Sequence, residues 1–368
     1  MKIAHIVGKL KAGGVESVVF SYLAEMDREG FDIDVLYDDD STVEPPKALA
    51  DAGINFIRIP PYEAALKYAK AVKALCRERA YDIVHSHLNS LSYFPLRAAK
   101  RAGVPVRIAH NHTTSSPEDG VRDKIKRAMR PFTKRAATDF AACSEKSARW
   151  MFGDKAVDAG KVTIFNNAVD IDRFAFDEGA REDVRRELSL GDSFVLIHVG
   201  RFVKTKNHPL ILGVFKELLS IRPDSFLILV GDGETAGEAE EKAKELGIAD
   251  RVKFCGIVPD AERYYSAADA FILPSFYEGL PVVAVEAQAS GLDLFLSENV
   301  TAECAVTSHV SFLPLSAGEK KWAGAIAGIT PHDRLSDNEI MKNSLFNIKR
   351  SASDLRNYYL KICGRTEK

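Results

Sequence analysis

A chain of 368 residues is long enough for two domains of ordinary size, and 46% hydrophobic with 28% charged residues is a globular composition. A formal net charge of −2 argues against a dedicated nucleic-acid binder. Cys76, Cys143, Cys255, Cys304 and Cys363 are scattered and form no C-x-x-C pair. That spacing suits neither a zinc site nor a disulfide framework, and points to a reducing, cytoplasmic setting. The N-terminal run MKIAHIVGKL is broken by His5, and no stretch approaches 18 apolar residues. Neither a signal peptide nor a membrane-spanning helix is expected.

In chain order, short β-rich runs alternate with helical patterns. KIAHIVG (2–8) predicts a buried strand, 13–30 a helix stopped by Gly30, and FDIDVLYDD (31–39) the next strand. INFIRIP, a helix over 62–79, YDIVHSH (81–87), a helix over 90–102 and VRIAHNH (106–112) follow. A helix over roughly 121–136 and the strand TDFAACS (138–144) close the series. The alternation lapses over 162–192. It resumes with SFVLIHVGR (193–201), a helix over 208–221, SFLILVGDG, a helix over 235–246, VKFCG, a helix over 259–267, AFILPS, a helix over 281–290 and LDLFLS (292–297). The expectation is α/β: two Rossmann-like doubly wound parallel-sheet domains facing across a cleft. Residues 1–170 are the first, 171–192 a linker, 193–347 the second, and 348–368 a helix packing back on the first.

Ligands in such sheets bind beyond the carboxyl ends of the strands. After the first strand, Gly13-Gly14 opens a helix. Backbone without Cβ at a helix N-terminus suits a phosphate, and a plain tight turn competes with that reading. His85/His87 and His110/His112 have strand-like i, i+2 spacing. A metal is the less favoured use of them, with no Cys or acidic cluster nearby. The favoured one places one histidine of each pair toward the cleft and the other in a structural hydrogen bond. Asp38-Asp39-Asp40 is read as a solvated turn rather than a metal site.

The second domain says more. GRFVKTKNHP places Arg201 and Lys206 between a strand and a helix, a pattern suited to clamping a diphosphate. Lys204 competes for the lysine role. In SFYEGLPVVAVEAQASG (275–291), Glu278 falls in the loop after a strand and Glu286 within the next helix. Between them, Gly279, Leu280 and Pro281 form a helix N-terminus ready for an anion. A nucleotide-sugar has the matching parts: a diphosphate for the amides and cations, and hydroxyls for the carboxylates.

P-S-x-x-E-G-L-P with E-x7-E, preceded by G-R-F…K-N and F-C-G, resembles the retaining GT-B glycosyltransferases of family 4 (group 1). GGVE, the histidine pairs and ACSE extend the resemblance over nearly the whole chain. Within the family, the chain resembles the bacterial capsular and exopolysaccharide transferases. The resemblance implies that Glu286 holds the ribose hydroxyls and Glu278 meets the transferred sugar. Arg201 and Lys206 would bind the diphosphate, and Gly14 would approach it from the other domain. His110, or His112 if the register shifts, would contact the donor sugar. Gly256 and Ile257 would offer backbone groups to the nucleobase. A UDP-sugar donor, no metal, and a saccharide or lipid-linked saccharide acceptor are also implied. The departure follows Gly291, where Asp293 stands in place of the usual proline.

VRDKIKRAMRPFTKR (121–135) carries seven basic residues and one acidic one. Its apolar residues recur at helical spacing, which fits a peripheral contact with anionic lipid, or alternatively a docked surface helix. Other function classes are a UDP-sugar epimerase of the same architecture and a non-catalytic nucleotide-sugar-binding module. A dehydrogenase is disfavoured by the lack of G-x-G-x-x-G.

Overall fold

The apolar runs of the first half become seven strands, all paired in parallel: β1 Lys2–Gly8, β2 Asp32–Asp38, β3 Asn55–Ile59, β4 Ile83–Ser86, β5 Val106–Asn111, β6 Asp139–Ala142 and β7 Val162–Ile164. Their order is β3-β2-β1-β4-β5-β6-β7. The inner strands are buried on both faces, as helices covering a parallel sheet require. In the computed structural model, residues 1–11, 14–113 and 120–364 are described. They divide into two units, Met1–Ala168 with Ile348–Lys368, and Val169–Asn347.

The second unit holds six parallel strands: β8 Phe194–Val199, β9 Ser225–Val230, β10 Val252–Gly256, β11 Ala270–Leu273, β12 Asp293–Ser297 and β13 Val310–Leu313. Their order is β10-β9-β8-β11-β12-β13. Its core packs Leu196, Leu227 and Ile272 of the sheet against Phe215, Trp322 and Ile326 of the helices. Each sheet reverses its winding once, between β1 and β4 and between β8 and β11. Such switch points leave a crevice at the strand ends.

Residues 171–192, expected as a linker, lie inside the second unit. They include a helix, Glu178–Glu187, capped by the Asp177 carboxylate accepting from the Ala180 N–H. Arg181 and Arg185 on that helix pair with Asp269 at 2.7 and 2.9 Å. A charge-rich stretch looks like a connection because its partner, Asp269, is about 90 residues away in sequence. The helix Ile348–Cys363 belongs to the first unit. Elements with no expectation attached include the helices Lys47–Asp51, Glu145–Phe152, Asp154–Asp158, Glu319–Ala327 and Arg334–Lys342, and the strands β7 and β13. Among the described residues, no helix is long and apolar enough to cross a membrane.

Candidate active site

At the switch point of the second sheet, the loops after β8 and β9 are pressed together. A Cβ on Gly231 would stand 2.1 Å from the Gly200 carbonyl oxygen, and one on Gly233 2.4 Å from that of Phe202. Only glycine fits, and both positions also have positive φ. The β8 loop then makes a short 3-10 turn over Lys204–Lys206 and turns through Asn207 at φ +58 into the helix His208–Ile221. Pro209 is the second residue of that helix, where its missing N–H costs no helical hydrogen bond. Two hydrogen bonds tie this loop to the one after β11: Phe276 N to Thr205 O at 2.9 Å, and Asn207 Nδ2 to Pro274 O at 3.3 Å.

This stitching brings Lys206 against Glu278, with Nζ to Oε1 at 2.6 Å and both side chains 16% exposed. The cation expected on the phosphates and the carboxylate expected on the sugar hold each other in place. Arg201 is exposed, and the competing Lys204 is exposed as well. The helix Val282–Ala289 begins just past Pro281, with no side-chain cap. Its first-turn N–H groups have no partner within the helix. The expectation that Pro281 takes part as an anion donor fails. It has no N–H, so its role is to set the entry angle at φ −74, ψ 112. Gly279 and Leu280 precede it on the same loop.

Glu286 projects from that helix, and its Oε2 accepts from the hydroxyl of fully buried Tyr265 at 2.8 Å. Burial raises the Glu286 carboxyl to about 7. Tyr265 and nearby Arg173 pull it down, and Glu262 pushes it up. Tyr265 escapes a reading of the sequence alone: it lies in the helix Ala261–Ala267, two elements before Glu286, and no motif marks it. Gly256 has φ +64, and its carbonyl accepts from Gly231 N at 2.7 Å. Ile257 beside it is 70% exposed, large for an isoleucine and available to cover a flat ligand.

In the first unit, Gly14 begins the helix Gly14–Glu25, and Gly13 lies outside the described residues. The histidine pairs do not divide into one cleft-facing and one structural member. Strand pairing sets His5 of β1 directly beside His85 of β4. All of His5, His85, His87, His110 and His112 are buried, at most 8% exposed, and they hydrogen-bond to one another. Burial pushes all five below the ordinary histidine range, His5 to about 3 and His112 to about 4. Nitrogens of His87, His110 and His112 lie within 4.8 Å of one another, close enough to share an ion, but most already bind another ring. In the sequence, His5 is only an interruption of an apolar strand, because its partners on the neighbouring strand are about 80 residues away.

Asp38 departs from the solvated-turn reading: it is buried at 1% exposure, while Asp39 and Asp40 are exposed. Burial, followed by Asp40 and Glu63, raises Asp38 to about 7. On the basic helix, Gly120–Ala136, Thr133 and Ala136 face inward. Ile125 and Phe132 are 52% and 43% exposed, beside exposed Lys124, Arg127 and Arg135. The apolar stripe is therefore only partly docked. The side chains of 121–123 lie outside the described ones.

The departure after Gly291 has a use. Asp293, at the start of β12, meets His309 Nδ1 at 3.3 Å and His332 Nδ1 at 3.5 Å. The two rings stack face to face at 3.7 Å and 9°, with Asp337 on the far side. Parallel rings cannot both hold one ion in their planes, so this cluster reads as a charge-and-stacking staple.

Two family models match the chain: "Glycosyl transferases group 1" over residues 180–311 and "Glycosyltransferase Family 4" over residues 12–173. The putative glycosyltransferase EpsF of Bacillus subtilis is 31% identical over 335 residues, covering 89% of this chain and 87% of that protein. An Escherichia coli UDP-Gal:alpha-D-GlcNAc-diphosphoundecaprenol alpha-1,3-galactosyltransferase is 25% identical, covering 84% and 82%. Among solved structures, Anabaena HepE in complex with UDP-glucose superposes with a TM-score of 0.77 at 19% identity, covering 97% and 100%.

Proposed function

Because the chain belongs to the family 4, group 1 glycosyltransferases, with a GT-B fold, we propose that it transfers a hexose or N-acetylhexosamine from a UDP-sugar with retention of configuration. The acceptor is a saccharide, carried on a lipid, in capsule or exopolysaccharide synthesis. The observation that carries this is the second sheet's switch point, where Lys206 pairs with Glu278 just ahead of an uncapped helix that carries Glu286, with exposed Arg201 on the loop after β8. UDP-glucose bound to HepE supports the donor, and the lipid diphosphate named for the E. coli relative supports the acceptor.

In this reading the first-turn amides of Val282–Ala289, Arg201 and Lys206 hold the diphosphate. Their positive charge stabilises the anion that builds up as the glycosidic C–O bond breaks, without help from a metal. The Lys206–Glu278 pair keeps the lysine in place before the donor arrives. Glu278, held by the same contact, faces the transferred sugar. Glu286 accepts from the ribose hydroxyls, and Gly256 and Ile257 meet the base. The acceptor hydroxyl attacks on the face the phosphate leaves, and the departing phosphate takes its proton.

A donor screen with UDP-glucose, UDP-galactose and UDP-N-acetylglucosamine, followed by Glu286→Ala and Lys206→Ala on the best donor, tests the assignment. Activity within about threefold of wild type in both variants overturns it, since loss of one transition-state partner costs on the order of a hundredfold. Epimer formation without an acceptor overturns the transfer reading instead. The exposed Ile125, Phe132 and basic residues favour peripheral contact with an anionic membrane. Flotation with phosphatidylglycerol vesicles but not with phosphatidylcholine vesicles is the expected outcome, and no flotation with either overturns it.

A further inference from the structure

The buried histidines of the first unit form one unbranched chain of hydrogen bonds. His112 Nε2 meets His87 Nδ1 at 2.9 Å, and His87 Nε2 meets His5 Nδ1 at 3.1 Å. His5 Nε2 meets the Tyr359 hydroxyl at 3.3 Å, and that hydroxyl meets His85 Nδ1 at 2.6 Å. His85 Nε2 then meets His110 Nδ1 at 3.0 Å. The chain starts just past β5, passes the residue after β4 to reach β1, turns at the helix Ile348–Cys363 and returns through β4 to β5. Its two ends, His110 Nε2 and His112 Nδ1, are buried and make no hydrogen bond of good geometry, and the Asn167 side chain lies beside His112.

A neutral imidazole has one N–H and one lone pair, and a tyrosine hydroxyl has one proton. Burial keeps all five rings neutral near pH 7. Each contact therefore needs one proton, supplied from one side. If two neighbours disagree, either two N–H groups or two lone pairs face each other in a buried site, at the cost of buried unpaired polar groups. Tyr359 carries the same constraint, because it can donate to one neighbour only if it accepts from the other.

We propose that the five histidines hold one common tautomer, all Nε2–H or all Nδ1–H, with Tyr359 as the joint. His110 and His112 then always present opposite characters: one offers an N–H while the other offers a lone pair. His5, His85, His87 and Tyr359 are positioning residues that decide which atom His110 turns toward a ligand. Only that consequence rests on the expectation that His110 meets a sugar ligand. A sugar oxygen that fixes His110 also fixes His112, through a path that never leaves the first unit.

Long-range proton–nitrogen NMR of the full chain, labelled with 15N-histidine and held in chelator at pH 7.5, reads each ring's tautomer directly. Single His→Gln variants assign the five among the nine histidines. Either uniform pattern is the expected result. Any mixture of tautomers among the five, an imidazolium within the chain, or metal retained on these rings before chelation overturns the proposal. Asn167→Asp supplies a carboxylate that only accepts, so it forces Nδ1–H on His112. His110 must follow to Nδ1–H in the folded variant, and a His110 that stays Nε2–H overturns the coupling. These spectra are taken without donor or acceptor, so they test the coupling whether or not the protein transfers sugar.

Discussion

The two sheets reverse at equivalent places and fill them with opposite chemistry. Between β1 and β4 the first unit packs neutral aromatic rings that hydrogen-bond to one another. Between β8 and β11 the second unit places an ion pair, an enclosed carboxyl and a helix N-terminus. A parallel sheet's switch point thus specifies where a ligand can bind but not what holds it. Neutral rings bind by shape and single hydrogen bonds. Fixed charges bind the part of a substrate whose charge changes during reaction.

The sharpest way to break this contrast is acid. A histidine whose folded pKa lies below its unfolded 6.5 gives stability that is full above pH 6.5 and is lost as pH falls toward the folded value. Five such rings lie in the first unit, with His5 at about 3 and His112 at about 4. Two, His198 and His208, lie in the second. Each is worth on the order of 2 kcal/mol between pH 6.5 and 5. Asp38 in the first unit and Glu286 in the second, both raised to about 7, act the other way: the penalty they carry above pH 4 to 5 is relieved on acidification. Amide hydrogen exchange at pH 5 should show the first unit opening before the second, and the reverse order would break the contrast. Next in size is Lys206→Ala. It leaves Glu278, at 16% exposure, without its cation and, on the proposed function, removes charge from the diphosphate, so kcat/KM should fall on the order of a hundredfold or more. Lys204→Ala, on the exposed side of the same turn, should stay within about twofold.

Much of this is legible in the sequence, and the omissions follow a pattern. Alternating apolar runs and helical periods locate the strands, because period and burial are local properties. Lys206, Glu278 and Glu286 stand out because a strand end followed by a helix start is also local. What escapes depends on partners far apart in the chain. His5 meets His85 across a strand pair, Tyr359 arrives from the C-terminal helix, and Tyr265 reaches Glu286 from another element. The pairing of Arg181 and Arg185 with Asp269 hides a helix inside an apparent linker. Pro281 has the right position for an anion site, and its missing N–H decides against the role.

A smaller effect sharpens the carboxyl side of the contrast. With Glu286 at about 7, its carboxylate form grows roughly tenfold from pH 6 to pH 8. If Glu286 holds the ribose as proposed, only that form accepts from both hydroxyls, and donor KM should fall by about the same factor as pH rises. Glu286→Gln should keep the high KM and lose the pH dependence, as read by initial rates over that range. A wild-type KM that is flat with pH would mean that the Tyr265 hydrogen bond, not the ribose, is what Glu286 is for.

The smallest expected effect comes from Asp293, the residue that the family resemblance marks as a departure. Its carboxylate touches two stacked imidazoles and is 17% exposed, at the starting end of β12 beside Ala270, whereas Glu278 follows the far end of β11. Asp293→Asn keeps the shape and a hydrogen-bonding oxygen but removes the charge. The loss should be about 1 kcal/mol, a melting shift of roughly 2–4 °C in a unit of this size, with kcat/KM within about twofold of wild type. A large activity loss without a matching melting shift would place the staple in the transfer machinery. The second unit would then reach its substrate through β12 as well as through the switch point.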